Sequence, residues 1–308
     1  MSSPRRGLVR VSRGCRRTSN GCGPGAAAAS SRRARTIPAV TADADERITA
    51  WLAALEARHL ANFRTSEVTR ALRALSAAYV ERRGSPAAAR GHSRQQVHGA
   101  LDTAGKRAAF SLFYAPLHFF TVRHVIAALG SDAGSPASIL DVGCGTGVAG
   151  AAWALASARP PQLLGIDHHP WVVDEARWTY RQLQLAGNAR VGDLSRLPQA
   201  GGTGAIVAGW VLNELAAERR VQLEEHLLAE AARGTRVLIL EPIARRVVPW
   251  WDESARKVIA RGGRADEWRF TTDLPPMLKL FDKAAGLNHR ELTVRTLCIG
   301  GGSGTDRS

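Results

Sequence analysis

The sequence predicts an α/β protein, an open and mainly parallel sheet fronted by helices. Three observations lead there. From Leu140 to Pro242, short apolar runs that close on an acid or a turn alternate with stretches of helical periodicity. The first run passes through Gly143, Gly145 and Gly147 into alanine-rich sequence, which reads as strand, tight loop and helix N-terminus. Residues 43–134, ahead of it, carry apolar stripes at helical spacing and no strand pattern.

Composition sets the bounds. A chain of 308 residues with 45% hydrophobic content is globular and long enough for a large core. No apolar run approaches the roughly 20 residues that span a bilayer, so a soluble, cytoplasmic protein without a membrane partner is expected. The net charge of +15 points to an anionic partner such as RNA. The basic residues are nearly all arginine in a chain rich in alanine and glycine, a bias that a GC-rich genome also produces. The four cysteines, Cys15, Cys22, Cys144 and Cys298, form no C-x-x-C pair, which argues against a zinc knuckle or a disulfide framework and for a reducing compartment.

Residues 1–42 hold nine arginines and no acid. Such a segment cannot bury enough apolar surface to offset its ordering entropy, so disorder is expected. Three readings compete, in this order of preference: a tail without function, an organelle transit peptide and a nucleic-acid-binding arm. Helical cap sequence follows over 43–134. Ile48, Trp51, Leu52, Leu55 and Leu60 form one stripe, and Val68, Leu72, Leu75, Ala78 and Val80 a second, which ends at Gly84-Ser85-Pro86. A third block carries Phe110, Phe113, Tyr114, Phe119 and Phe120, with a break expected at Pro116. These aromatics pack on the sheet, or some of them, Tyr114 first, line a pocket.

The α/β domain is expected over 135–300, with a tail at 301–308. Ile139–Val142 is the first strand, and the helix after Gly147 stops at Arg159-Pro160-Pro161. Leu163–Asp167 is the second strand, Ala189–Val191 a short third leading to Gly192-Asp193-Leu194, Gly204–Gly209 the fourth and Gly234–Pro242 the fifth. In an open α/β sheet, ligands bind beyond the carboxyl ends of the strands. Asp141, Asp167, Asp193 and the loop Trp210-Val211-Leu212-Asn213-Glu214 all fall there. His168 and His169 are adjacent, and side chains at i and i+1 do not converge on one helical face, so no metal site is expected. Asn213 and Glu214 cap the next helix or touch a ligand. Trp250, Trp251 and Trp268 pack in the core or, with Arg245, Arg246 and Arg264, stack an acceptor base. Glu291–Ile299 alternates as a terminal strand.

The glycine loop discriminates between ligands. A dinucleotide fingerprint needs a third glycine where Val148 stands, and a phosphate-binding P-loop needs Lys-Ser/Thr after the glycines. Asp141-Val142-Gly143-Cys144-Gly145-Thr146-Gly147 matches D-x-G-x-G-x-G at every fixed position. With the strand order that follows, the chain resembles class I S-adenosylmethionine (SAM)-dependent methyltransferases. The resemblance implies a Rossmann-like sheet of the seven-stranded type and SAM as cofactor. It places Gly143, Gly145 and Gly147, with Asp141 and Cys144, at the amino-acid end of SAM. Asp167 falls at the ribose, His168, Asp193 and Leu194 at the adenine, and Trp210 near the methyl. Asn213, Glu214 and Tyr114 are the candidates for a catalytic role, and no residue is required as a general base.

The chain also looks like the methyltransferase-like proteins of the mitochondrial small ribosomal subunit and their bacterial relatives, through Tyr114 and Arg123 before the first strand, Asn213-Glu214-Leu215 and Glu241-Pro242. The cysteine cluster that the mitochondrial proteins carry after the fourth strand is absent, since no cysteine lies between Cys144 and Cys298. The expected activity is SAM-dependent methyl transfer, with RNA or a ribosomal subunit as the favoured acceptor. The alternative is an RNA or ribosome assembly factor that keeps the fold and transfers little.

Overall fold

A computed structural model of the chain describes residues 9–12, 42–84, 101–201 and 203–300. The expectations for residues 1–42 and 301–308 lie outside the described residues, apart from the four-residue strand β1 (Val9–Ser12) and Ala42.

The cap begins with α1 (Ala42–His59), whose first turn carries Asp43 and Asp45 against the positive helix end. It buries Ala44, Ile48, Trp51 and Leu55, one side of the helix; Leu52 and Leu60 stay at its margin. Helix α2 (Thr65–Gly84) starts where Glu67 Oε2 accepts the Arg64 N–H at 2.7 Å, half of a capping box, and buries Val68, Leu72 and Leu75. Helix α3 (Ala104–Ala109) is capped by Thr103, whose hydroxyl accepts the Lys106 N–H.

The break expected at Pro116 does not occur. The chain passes from α3 through one π-helical turn, Phe110–Tyr114, directly into α4 (Ala115–Leu129). Pro116 falls in the first turn of α4, where its missing N–H is tolerated, and the widened turn ahead of it, closed by Ala115 N–H to Phe110 O, relieves the ring. The helical stretch Ala104–Asp132 is long and apolar enough, by length and composition, to cross a membrane, but 61% of its apolar window is buried inside the protein.

The sheet then builds as β2 (Ser138–Val142), α5 (Val148–Ala156), β3 (Gln162–Asp167), α6 (Pro170–Gln182), β4 (Gly187–Val191), β5 (Ala205–Gly209), α7 (Ala217–Ala232), β6 (Arg236–Glu241), α8 (Trp251–Ile259), β7 (Arg264–Thr271), α9 (Pro276–Ala285) and β8 (Glu291–Ile299). Its order is β1-β7-β8-β6-β5-β2-β3-β4. Strands β2 to β6 are parallel, and β8 inserts antiparallel between β6 and β7. Seven strands thus take the expected Rossmann-like arrangement, and β1 adds an antiparallel edge on β7. Strand β7 has no counterpart in the sequence reading: Arg264, Asp266, Glu267 and Arg269 interrupt its apolar pattern. These charges are absorbed by pairs such as Arg264 with Asp266 and Arg295 with Glu267.

The two-residue period divides the core. Ile139, Leu163, Val207 and Leu238 face the cap, α5 and α6, while Leu140, Val142, Ile206 and Ile239 face α7 and α8. Strand order reverses between β2 and β5, so the crevice of this sheet opens there, at their carboxyl ends. Trp251 and Trp268 are buried, and Trp268 Nε1 donates to Thr296 Oγ1 at 2.7 Å. Trp250 is half-buried under the Arg220 guanidinium. The packing reading of these tryptophans therefore stands over the base-stacking one.

Candidate active site

The loop after β2 owes its shape to left-handed glycines. Gly143, Gly145 and Gly147 have φ of 61°, 49° and 78°, which side-chain-bearing residues rarely adopt. Their surroundings differ. A Cβ on Gly143 would lie 2.6 Å from Val211 Cγ2, and one on Gly147 2.7 Å from Tyr180 Cε1, whereas a Cβ on Gly145 meets nothing within 4 Å. Gly145 therefore faces open space above a packed loop. Gly147 is the N-cap of α5 and supplies no side-chain cap, so the first turn of that helix is not closed off by a side chain.

Two carboxylates bracket the loop and behave oppositely. Asp141 is on the face of β2 that looks at α5, and its Oδ2 accepts the Gly150 N–H at 2.8 Å. A Cβ at position 150 would stand 2.9 Å from that oxygen, so glycine is what admits the acid. Burial, and secondarily the charge of Asp167, raises the Asp141 carboxyl to about 8 against the opposing pull of the Gly150 N–H. Its Oδ1 is buried with no partner among the described residues. At the end of β3, Asp167 is also largely buried, which pushes its carboxyl up. His168, the His169 N–H at 2.9 Å and the Gly145 N–H at 3.0 Å outweigh burial and hold it below the usual range. Asp167 is thus an ionised acceptor fastened to the glycine loop, with lone pairs left for a ligand's hydroxyls.

The folded Asp141 carboxyl keeps a proton up to about pH 8, while the unfolded one ionises near its ordinary value of 3.8. Between these values the native state binds more protons, so this group's contribution to stability falls as pH rises. Asp141→Asn should therefore flatten part of the decline in melting temperature between pH 5 and pH 8, and thermal melts across that range check it.

Cys144 donates its N–H to Ile166 O at 3.0 Å, and its Sγ packs beneath Gly165, where an added Cβ would be 2.8 Å from the sulfur. Only the Cys144 backbone can meet a ligand. Burial pushes its thiol well up. Tyr180 shares this space, with a hydroxyl that is buried and unpartnered among the described residues. Tyr180→Phe removes an orphaned polar atom, so it should change stability by no more than about 0.5 kcal/mol, or raise it; loss of a bonded hydroxyl would cost about 1 kcal/mol or more. Chemical denaturation decides between them.

After β4, Asp193 Oδ1 accepts the Ser195 N–H at 3.0 Å and Arg219 stands 3.9 Å away. Its side chain is 38% exposed, and it turns a loop at the rim of the strand ends. Leu194 packs on the α7 side of the sheet. His168 lies against Asp167, and His169 Nδ1 accepts the Trp171 N–H as the N-cap of α6.

Beyond β5, Trp210 adopts a φ of 58°, a strained position for a bulky residue. Its N–H donates to Leu240 O at 2.8 Å. Asn213, with its amide turned to satisfy its neighbours, donates from Nδ2 to Trp210 O at 2.9 Å and to Glu241 Oε2 at 3.0 Å. Glu241 Oε1 in turn accepts the Leu212 N–H at 2.9 Å and the Asn213 N–H at 3.3 Å. Burial drives the Glu241 carboxyl well up. Asn213 and Glu241 together clamp the bend that presents Trp210. Ala216 is the N-cap of α7, so the capping alternative for Asn213 and Glu214 does not hold. Glu214 is half-buried beside the clamp and adds its charge to Glu241's surroundings.

The indole of Trp210 stacks on the His118 ring, with centroids 3.8 Å apart and planes 9° from parallel. Tyr114, in the π turn, contacts Phe113 edge-on at 5.3 Å and His118 at 6.3 Å. Tyr114 thus reaches the cleft, whereas Phe113 and Phe119 are core. Burial and the nearby His289 push His118 down to about 3, so it is uncharged at neutral pH. His118 and His289 were not anticipated, although His118 sits four residues beyond Tyr114, on the same helix face. Arg123 is not in the cleft: it pairs with Asp45 of α1 at 2.6 Å.

The arrangement suits an adenosyl ligand bearing an amino acid. An open-faced glycine, an uncapped helix start and an ionised carboxylate stand at neighbouring strand ends, the requirements for holding a zwitterion and a ribose. A family model described as "Methyltransferase domain" matches residues 139–235, from β2 to the residue before β6. Residues 139–235 form a methyltransferase domain. The solved structures similar to this chain include magnesium protoporphyrin IX methyltransferase from Synechocystis PCC 6803 with bound SAM, at 19% identity over 60% of this chain and 80% of that chain, TM-score 0.41. The N-methyltransferase NodS from Bradyrhizobium japonicum WM9 with S-adenosyl-L-homocysteine (SAH) is 13% identical over 59% and 84%, TM-score 0.41. A tRNA (uracil-54, C5)-methyltransferase from Pyrococcus abyssi with SAH is 16% identical over 59% and 37%, TM-score 0.37. A comparison with curated proteins gives no match.

Proposed function

We propose that this methyltransferase acts on RNA, with RNA of the small ribosomal subunit as the first acceptor to test. The observation that carries the proposal is the charge and its placement. Of the net +15, the nine arginines of residues 1–42 are opposed by no acid. Strand β1, within that segment, pairs with β7 through Val9 and Phe270, one residue from the carboxyl end of β7 and on the side where the crevice opens. Arg5 and Arg6 precede this end of β1, and an arginine-rich segment tied to the sheet by β1 suits a polyanionic substrate.

SAM supplies the methyl group from its sulfonium. The chain's own part is positioning. The glycine loop and the start of α5 would hold the amino-acid end, and Asp167 the ribose hydroxyls. Asp193 and the backbone at Leu194 would hold the adenine. The Asn213–Glu241 clamp fixes Trp210 at the acceptor side, and the neutral His118 stacked on it puts no positive charge beside a sulfonium. In-line transfer to an already nucleophilic atom needs no general base.

Incubation with methyl-tritiated SAM and fractions of total RNA, protein and small molecules tests the proposal. Label should enter RNA, disappear with ribonuclease and fall steeply with added salt. Label confined to the protein or small-molecule fraction would overturn the RNA reading. SAH binding without transfer to any fraction would favour the assembly-factor alternative.

A further inference from the structure

We infer that a second ligand site, for a small organic anion with a flat apolar body, lies in the helical cap outside the adenosyl cleft. A cavity of about 300 Å³ opens between the end of α1, the start of α3 and the first turns of α6. None of Gly145, Asp167, Asp193 or Trp210 lines it. Its volume is at the lower end of small-molecule sites, enough for one ring with a substituent.

The charges in the wall do not cancel. Glu175 is buried, which alone would raise its carboxyl, but His59 at 3.1 Å and Arg58 at 2.7 Å hold it below the usual range. Arg58 also donates from Nε at 3.2 Å, so its charge is matched by Glu175. Arg107 is left over. Its Nε donates to Leu101 O at 2.8 Å, its guanidinium lies 5.4 Å from the Trp171 ring centroid, and its two terminal nitrogens have no partner among the described residues. A planar guanidinium steadied on an indole offers paired N–H donors to a carboxylate or phosphate. The positive end of α6, which begins at Pro170, adds to the preference for an anion. Phe63 and Ala108 give the cavity apolar walls for the remainder of the ligand.

Salicylate and its uncharged amide, salicylamide, are suitable probes by calorimetry on the full chain. Salicylate should bind saturably and salicylamide at least about tenfold more weakly. Arg107→Gln should bring salicylate down to the level of the amide. Ala104→Phe, at an exposed position on the rim, should block both probes while leaving the core untouched. SAH affinity should be the same in wild type and both variants, so this result stands or falls apart from the methyl-transfer reading. No salicylate binding at about 10 mM, equal binding of the two probes, or binding that survives both substitutions would overturn the proposal. So would displacement of salicylate by SAH, which would place it in the adenosyl cleft.

Discussion

Gly145→Ala should fold and bind SAH far more weakly, while Gly147→Ala should lose stability. Both glycines are left-handed, so each alanine carries backbone strain of about 1–2 kcal/mol. Only at Gly147 does the new methyl collide with the core, 2.7 Å from Tyr180 Cε1 and 3.0 Å from Ala176 Cβ, which adds about 1–3 kcal/mol of overpacking. At roughly 2–4 °C per kcal/mol for a domain of this size, Gly147→Ala should melt about 5–15 °C lower and Gly145→Ala only a few degrees lower. The Gly145 methyl instead enters the open space above the loop, where the ligand's amino-acid end would approach, and should weaken SAH by about 100-fold. Scanning fluorimetry and calorimetry on both variants separate the effects. Unaltered SAH affinity in Gly145→Ala would mean that this face is not the binding surface.

Asp167→Asn is the second large effect. Both carboxylate oxygens already accept backbone N–H groups, Gly145 to Oδ2 and His169 to Oδ1. An amide has one oxygen, so one of these donors would face an NH2 group and the loop would lose its tether. The ionised acceptor for ribose hydroxyls is lost as well. Charged hydrogen bonds of this kind contribute about 1.5–3 kcal/mol, so SAH affinity should fall by roughly 10–150-fold with little loss of fold. Asp193→Asn, at a half-exposed rim acid that accepts the Ser195 N–H, should cost about tenfold or less. The Asp167 carboxyl lies below the usual range, so its part in SAH binding should persist from neutral pH into mild acid. A pH series of the wild-type affinity checks that sign, and equal losses in the two variants would remove the special place of Asp167.

The sheet was legible because its parallel strands are buried on both faces and read as short apolar runs ending at functional acids. Leu163–Asp167 and Val237–Glu241 are such runs. Strand β7 was not, because its buried residues Asp266, Trp268 and Phe270 alternate with charged ones, which pair both along the strand (Arg264 with Asp266, Arg269 with Glu267) and across to Arg295 of β8. The π turn escaped because Pro116 is a helix breaker by local rules, whereas here it falls in the first turn of α4 behind a widened turn whose Leu112 and Phe113 are buried in the core. At the site, the glycine loop and Asp167 were readable from spacing. The Asn213–Glu241 clamp and the stack of His118 on Trp210 join residues 28 and 92 positions apart, which no local pattern connects. Asn213 was legible as a polar residue in the right loop, but its work of holding Trp210 needed the fold.

The most direct measurement is a calorimetric titration of SAH into the purified full chain, with Asp167→Asn as its control. Saturable binding of one molecule per chain in the micromolar range, lost or greatly weakened in the variant, is the expected result. An absence of heat together with an unshifted melting curve for the wild type would contradict an adenosyl site at these strand ends.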